Sequence, residues 1–316
     1  MLLLNLFGLI ISIAVLVWGA DKFVDNSALI AKKSGLSELT IGLTIVALGT
    51  SAPEIFVGIS SVLSKTEELA LGTVIGSNIS NIALIFGVSC VGVAMRPAKT
   101  SSVQFIAFFL SALFLGMALF DLYITPFESF IFLLIFLIFI YITYKFRASD
   151  NIKIDNENQE IDAFKTNLML GIGLLCLVLG SRYAVIHAKE IALMLNVSEL
   201  IIGLTIIAIG TSLPELAATI SAILKKKNDM VVGNVIGSNV LNITLVVPII
   251  GFFSNIELNK MILSRDYMAM LIATILFIVV AALYSSKYIS IGLIKFIGVV
   301  FVSGYFYYIL MVSNLI

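Results

Sequence analysis

The sequence predicts an all-α membrane protein with ten transmembrane helices arranged as two inverted five-helix repeats. Three observations carry this prediction. The 316 residues are 60% hydrophobic and 12% charged, with a mean hydropathy of +1.13, whereas soluble proteins average about 25% charged residues. Apolar stretches long enough to cross a bilayer recur along the chain. The two halves of the chain also repeat one another at a constant offset.

The apolar stretches are predicted to be helices, because a backbone in lipid must satisfy its own hydrogen bonds. They cover residues 3–32, 38–63, 69–94, 102–121, 127–146, 167–190, 199–224, 230–253, 267–285 and 289–313. A long polar stretch follows the fifth segment and predicts a solvated cytoplasmic linker at 147–165. The predicted domains are therefore a first repeat at 1–146 (spans 1 to 5) and a second repeat at 166–316 (spans 6 to 10).

Two polar motifs occur in both halves. Gly49-Thr50-Ser51-Ala52-Pro53-Glu54 returns as Gly210-Thr211-Ser212-Leu213-Pro214-Glu215, and Gly76-Ser77-Asn78 with Asn81 returns as Gly237-Ser238-Asn239 with Asn242. Each residue of the second copy follows its counterpart by 161 positions. Because five spans is an odd number, the second copy must enter the membrane upside down, as in secondary transporters built from inverted repeats.

The distribution of basic residues predicts the orientation. With the N-terminus outside, the inner loops and adjoining helix ends hold twelve Lys and Arg residues, among them Lys225, Lys226 and Lys227, and the outer ones hold four. Inner loops carry the excess of positive charge in membrane proteins. Both termini are therefore expected outside.

The charges in the first segment receive a different interpretation. Asp21, Lys22 and Asp25 lie late in that segment, and Asp21 is replaced by Arg182 in the second copy. This loss of symmetry favours local ion pairing or snorkelling over a role in a shared site.

The repeated motifs predict a cation site. An ionised carboxylate within a membrane span is costly unless it is compensated, so Glu54 and Glu215 indicate function. The prolines before them cannot donate a backbone hydrogen bond, which is expected to free the carbonyl oxygens of Gly49 and Gly210. Carboxylate, carbonyl, hydroxyl and amide oxygens suit Na⁺ and Ca²⁺, and the motifs hold no imidazole or thiolate for zinc or copper. Asn78 and Asn239 fit equally well as ligands or as hydrogen bonds between helices.

The charge of the site predicts exchange. Glu54 and Glu215 carry two negative charges when ionised, and one Ca²⁺ neutralises them. An empty site would leave like charges in a low dielectric, so a carrier is expected to return with Na⁺ or H⁺.

A cation channel and an intramembrane enzyme are the rival classes. The enzyme is ranked last, since the motifs lack a His-rich zinc motif or an acidic pair suited to diphosphate. Zero net charge gives no reason to expect a nucleic-acid partner.

The motifs resemble the two α-repeats of the cation/Ca²⁺ exchanger superfamily, and most of all those of prokaryotic calcium/sodium antiporters. The resemblance covers nearly the whole chain. It implies secondary active antiport of Ca²⁺ against Na⁺ across the cell (inner) membrane, with no cofactor beyond the transported ions. It further implies alternating access by movement of the first and sixth helices, around a site between helices 2, 3, 7 and 8 of a monomeric transport unit.

The resemblance also implies a set of metal ligands. Ca²⁺ would be held by Glu54 and Glu215 with the backbone carbonyls of Thr50 and Thr211. The same glutamates would hold Na⁺ together with Asn81, Asn242, Ser51, Ser77, Ser212, Ser238 and the carbonyls of Ala47 and Ala208. Some archaeal relatives and potassium-dependent members carry an aspartate at the position of Asn242. With two carboxylates rather than three, the site favours exchange that does not depend on potassium.

Overall fold

The computed structural model describes residues 1–92, 102–146, 162–197, 208–253, 258–286 and 288–313. Every regular element in these ranges is a helix. The helices are α1 (Leu2–Ser34), α2 (Glu38–Thr50), α3 (Ala52–Leu63), α4 (Glu67–Gly92), α5 (Ser102–Ala118), α6 (Pro126–Lys145), α7 (Ala163–Met194), α8 (Ala208–Thr211), α9 (Leu213–Leu224), α10 (Asn228–Phe253), α11 (Ile262–Tyr284) and α12 (Ile291–Val312).

Local sequence signals set the ends of these helices. Gly35 ends α1 in the left-handed conformation (φ 63°), which glycine adopts without steric cost. Asp162 caps α7, because its carboxylate accepts hydrogen bonds from the N–H groups of Phe164 and Lys165 at 2.9 and 3.2 Å. As a result, α7 begins at Ala163, within the predicted linker 147–165. Residues 147–161 lie outside the described ranges.

The number of helices able to span a membrane is smaller than the ten predicted. In the described residues, seven helices are long and apolar enough: α1, α4, α6, α7, α10, α11 and α12. An eighth span results if α2 and α3, which meet at a bend of 44°, are counted together. The apolar helices α5 and α9 are too short to pass the same test. Helical residues occur in each of the ten predicted intervals, but the count of ten spans stays a prediction.

Helices α1 and α7, one from each half, pack closely and antiparallel. A Cβ atom on Gly19 would lie 2.5 Å from the backbone nitrogen of Leu177, and one on Gly180 would lie 2.6 Å from that of Leu16. Leu16 and Gly19 correspond to Leu177 and Gly180 at the offset of 161, so the two contacts are copies of each other. This local two-fold, antiparallel relationship is what an inverted repeat requires.

Helices α4 and α10 form the centre of the protein. In each of these two helices, 83% of the residues in an apolar 18-residue stretch are buried, against 17–39% in the other single spans. Helix α2 crosses α10 where Gly42 meets Gly233, and a Cβ atom on Gly233 would stand 2.4 Å from the carbonyl oxygen of Leu39. Small residues allow such close backbone approach between membrane helices. This crossing brings the first proline motif against the second half of the chain.

Candidate cation-binding site

Each proline motif interrupts a helix directly before its glutamate. The break falls at Ser51 (φ −81°, ψ 1°) between α2 and α3, and at Ser212 (φ −93°, ψ 8°) between α8 and α9. Proline suits the first turn of a helix, where its missing N–H costs no hydrogen bond. Glu54 and Glu215 consequently lie in the first turns of α3 and α9. The positive ends of the helix dipoles stabilise negative charge there.

The two bends contact the neighbouring helices α1 and α7 in different ways. The hydroxyl of Ser181 in α7 donates to the carbonyl oxygen of Gly210 at 3.1 Å. The position equivalent to Ser181 in α1 is Ala20, which has no side-chain donor. At Gly49 the neighbour is instead the ring of Phe23, 2.6 Å from where a Cβ atom would stand. The second bend is therefore tied to α7 by a hydrogen bond, whereas the first packs on α1 through an apolar contact.

The two motif carboxylates are buried and connected across the halves. Glu54 and Glu215 are each 1% exposed. The hydroxyl of Ser77 donates to Oε1 of Glu54 at 3.4 Å, and that of Ser51 donates to Oε1 of Glu215 at 3.4 Å. Within the described residues, Oε2 of each glutamate has no hydrogen-bond partner. Because Ser51 stands three residues before Glu54, its contact with Glu215 brings the two motifs to one place. Two carboxylates in such a place repel each other when both are ionised.

The asparagines of the second motif meet at the interface of α4 and α10. Asn78 donates through Nδ2 to the carbonyl of Asn239 at 3.3 Å and accepts from Asn242 Nδ2 at 3.3 Å. Asn78 and Asn239 occupy equivalent positions of the two copies, so their contact lies on the two-fold relationship between the halves. Asn78 thus makes hydrogen bonds between helices, one of the two roles that the sequence left open.

Asn81 and Asn242 keep polar atoms that no described residue satisfies. Both amide atoms of Asn81 and Oδ1 of Asn242 are buried without a partner. Asn81 lies in a π-helical segment, Ser80–Phe86, and Asn242 begins another, Asn242–Val246. Such segments turn side chains out of the regular helical register and are frequent at functional sites. Buried polar atoms without partners are rare, so these amide groups are suited to ligand binding.

The other predicted ligands lie around the same bends. Thr50 and Ser238 are buried, and their hydroxyls point to a residue outside the motifs, Asn234. The Ser212 hydroxyl is buried without a partner in the described residues. The carbonyl of Ala47 accepts from the N–H of Ser51 at 2.9 Å. Thr211 is half-buried at the end of α8, and Ala208 is the first residue of that helix; the side chain of Ala208 lies outside the description.

Two further polar residues of this region lie outside the repeated motifs. Asn234 and Thr219 are buried, and Nδ2 of Asn234 lies 3.5 Å from the hydroxyl of Thr219. Their equivalents in the first half are Thr73 and Gly58, so a search for repeated motifs passes over them. For Asn234, the sequence does contain one sign of a functional role, because an amide side chain in the middle of an apolar span is uncommon.

The donor set fits a hard cation. It consists of two carboxylates with amide, hydroxyl and carbonyl oxygens, which are the ligands of Ca²⁺ and Na⁺. In the part of the chain that the structure describes, no three His, Cys, Asp or Glu side chains cluster as they would around zinc or copper.

Comparison with known proteins then decides the family. The family model for the sodium/calcium exchanger protein matches residues 4–145 and 166–314. The chain belongs to the sodium/calcium exchanger family. This exchanger is therefore an integral, multi-pass membrane protein and an antiporter rather than an enzyme.

Individual relatives agree with this assignment. The exchanger is 34% identical to inner membrane protein YrbG of Escherichia coli, over 85% of this chain and 86% of that protein. It is 30% identical to sodium/calcium exchanger MaX1 of Methanosarcina acetivorans, over 83% and 86%. Among solved structures, the sodium-calcium exchanger NCX_Mj soaked with Na⁺ superposes with a TM-score of 0.82 at 29% identity, covering 99% of both chains.

Proposed function

We propose that this exchanger moves Ca²⁺ across the cell membrane against Na⁺ by alternating access, and that both ions compete for one site around Glu54 and Glu215. The observation that carries the proposal is the burial of both carboxylates, each with an oxygen that has no partner among the described residues. No ion pair in those residues joins a basic side chain to either glutamate. Buried charge of this kind needs compensation, and a cation supplies it.

The ligands divide between the two ions. Glu54 and Glu215, with the backbone carbonyls of Thr50 and Thr211, hold Ca²⁺, which takes six to eight oxygens in all. Na⁺ uses the same glutamates with neutral oxygens from Asn81, Asn242, Ser51, Ser77, Ser212 and Ser238 and from the carbonyls of Ala47 and Ala208. The hydroxyls of Ser51 and Ser77, both 3.4 Å from carboxylate oxygens, and the unpartnered amide of Asn81 support this division.

Exchange follows from the charge of the site. When both glutamates are ionised and no cation is bound, their carboxylates repel each other in a low dielectric. The conformational change is therefore favourable only when cations are bound. One Ca²⁺ or a set of Na⁺ ions meets this condition. Because the two ions share the carboxylates, one leaves before the other binds.

The access change is a movement of α1 and α7 past the bends. Helix α1 packs on the first bend at Gly49, and a Cβ atom on Gly210 at the second bend would stand 2.3 Å from Val185 of α7. The antiparallel packing of α1 and α7 supports two inverted repeats of five spans, at 1–146 and 166–316. The site then lies at the midplane, where such repeats meet. The transport unit is one chain, in the inner membrane, with both termini outside.

Flux in proteoliposomes tests the proposal. Purified protein is reconstituted in vesicles loaded with Na⁺ and diluted into medium with radioactive Ca²⁺, while valinomycin with equal K⁺ and a protonophore remove voltage and pH gradients. The account expects Ca²⁺ uptake that depends on the Na⁺ gradient. Uptake that follows an imposed pH gradient, but not the Na⁺ gradient, would favour a Ca²⁺/H⁺ exchanger with the same glutamates. Flux without any counter-ion would indicate a channel.

Matched variants connect the flux to the site. Glu54→Gln and Glu215→Gln each remove one charge with little change in size, and each is expected to abolish uptake. Glu190→Gln, the same change at an exposed glutamate of α7, is expected to keep it. Normal uptake by either motif variant would remove these carboxylates from the mechanism.

A further inference from the structure

Asn234 connects three helices beside the proposed site, although no repeated motif contains it. It lies in α10 and is 2% exposed. Its Oδ1 accepts hydrogen bonds from the hydroxyl of Thr50 in α2 at 3.3 Å and from that of Ser238 in α10 at 3.4 Å. Its Nδ2 donates to the hydroxyl of Thr219 in α9 at 3.5 Å. One buried amide therefore contacts hydroxyls from both halves of the chain.

These bonds decide where the hydroxyl oxygens point. A hydroxyl has one proton and two lone pairs. While the protons of Thr50 and Ser238 point at Asn234, the lone pairs point elsewhere and can face a cation. The hydroxyl of Thr50 also lies 3.4 Å from the carbonyl oxygen of Ala47, which accepts from the N–H of Ser51 as well. Without Asn234, the proton of Thr50 would go to this carbonyl alone, an oxygen that the proposed Na⁺ site uses.

The arrangement is absent from the equivalent positions of the first half. Thr73 stands where Asn234 stands in the second half, and its hydroxyl donates to the carbonyl of Leu69 in its own helix at 2.8 Å. The first-half equivalent of Ser238 is Ser77, which donates to Glu54. One motif serine is therefore held by a carboxylate and the other by a neutral amide.

We propose that Asn234 is a positioning residue that sets the balance between Na⁺ and Ca²⁺ by holding the hydroxyls of Thr50 and Ser238 as donors to itself. The inference rests on the proposed function. Na⁺ carries one charge and gains less from the two carboxylates than Ca²⁺ does, so it depends more on neutral oxygens. Misdirected hydroxyls consequently weaken Na⁺ binding more than Ca²⁺ binding.

Two variants and a control test the proposal in proteoliposomes. The measurements are the Na⁺ concentration that halves Ca²⁺ uptake and the Ca²⁺ concentration that half-saturates it. For Asn234→Ala, the Na⁺ value is expected to rise about tenfold, and the Ca²⁺ value by less than about threefold. Thr219→Val is nearly isosteric and removes only the anchor of Asn234. It is expected to raise the Na⁺ value by about threefold. Thr73→Ala should change neither value.

The outcomes separate this inference from the function on which it rests. Variants that raise both values equally, or lower only the amount of folded protein and the maximal rate, would show a purely structural role and overturn it. Should Asn234→Ala fail to fold, an unchanged Na⁺ value in Thr219→Val overturns it equally. Wild-type protein without Na⁺-dependent Ca²⁺ uptake would overturn the proposed function and this inference together. A working wild type with unchanged variants would overturn this inference alone.

Discussion

The hydroxyl of Ser51 donates a hydrogen bond to Glu215 at 3.4 Å across 164 positions of sequence. The contact joins the first proline motif to the carboxylate of the second. It joins the break of the helix at Ser51 to the first turn of α9. Residues from both halves therefore form a single group of oxygen atoms in the protein interior.

This contact predicts the effect of Ser51→Ala. The substitution removes a hydrogen bond to a charged group and, under the proposed function, a Na⁺ ligand. The Na⁺ and Ca²⁺ concentrations that give half-maximal effect in vesicle uptake are both expected to rise about tenfold. Ser60→Ala, at an exposed serine of α3, is the control and should change neither. Unchanged values for Ser51→Ala would separate Ser51 from the site.

The crossing of α2 and α10 predicts that Gly233 tolerates no side chain. A Cβ atom there would meet backbone atoms, the carbonyl oxygen of Leu39 at 2.4 Å and the nitrogen of Leu43 at 2.9 Å. Gly233→Ala is therefore expected to destabilise the protein by roughly 1–3 kcal/mol and to lower the melting temperature in detergent. Gly304→Ala in α12, where nothing lies within 4 Å, should melt near the wild type. Equal melting of the two variants would contradict the close crossing.

Ion pairs hold α1 against the end of α9. Lys225 contacts Asp21, and it lies 2.7 Å from Asp25. At the equivalent positions of the other half, Ser64, Arg182 and Ile186 cannot form these pairs. The ion pairs therefore stabilise one arrangement of α1, and the other half of the chain has no equivalent pairs that would stabilise α7.

Lys225→Met is expected to loosen α1 and change the transport rate. Partly exposed pairs contribute about 1 kcal/mol or less, so a change of up to about fivefold is expected in the population of this arrangement. Faster hydrogen–deuterium exchange in the second half of α1 would report it. Lys22→Met is the control, because Lys22 pairs with Asp21 on its own helix. Equal exchange and equal transport rates in the two variants would show that Lys225 does not hold α1 in place.

Cation binding predicts a gain in thermal stability. A ligand that binds only the folded protein adds about 2.7 kcal/mol at 100 times its dissociation constant. Ca²⁺ should therefore raise the melting temperature of the wild type and of Glu190→Gln, and chelation should reverse the rise. The double variant Glu54→Gln/Glu215→Gln should not respond. A Ca²⁺ response in the double variant would indicate another binding site.

The repeated motifs of the candidate site could be found in the sequence because polar groups in apolar spans are rare and these occur twice. The full ligand set came from the resemblance to the exchanger superfamily and stays a prediction. Asn234 and Thr219 could not be found in this way, since Thr73 and Gly58 occupy their positions in the first half. The sequence could not predict the main ion-pair partner of Asp21 either. Local pairing was predicted, and Lys22 does lie 3.7 Å away, but the closer contact is with Lys225, 204 positions along the chain.

Hydropathy predicted where helices occur better than how many cross the membrane. The break at Ser51 leaves α2 and α3 long enough only as a pair, and α9 stays short after the break at Ser212. Apolar length alone does not report such breaks. The π-helical segments at Ser80–Phe86 and Asn242–Val246 likewise depend on packing that no residue propensity reveals.

The position of a bound calcium ion decides whether Glu54 and Glu215 share one site. Crystals of the protein grown with Ca²⁺ would be measured at a long X-ray wavelength, where calcium gives an anomalous signal. We expect one peak in the protein interior within about 2.3–2.6 Å of carboxylate oxygens from both Glu54 and Glu215. A calcium peak bound by only one of these glutamates, or by neither, would contradict it.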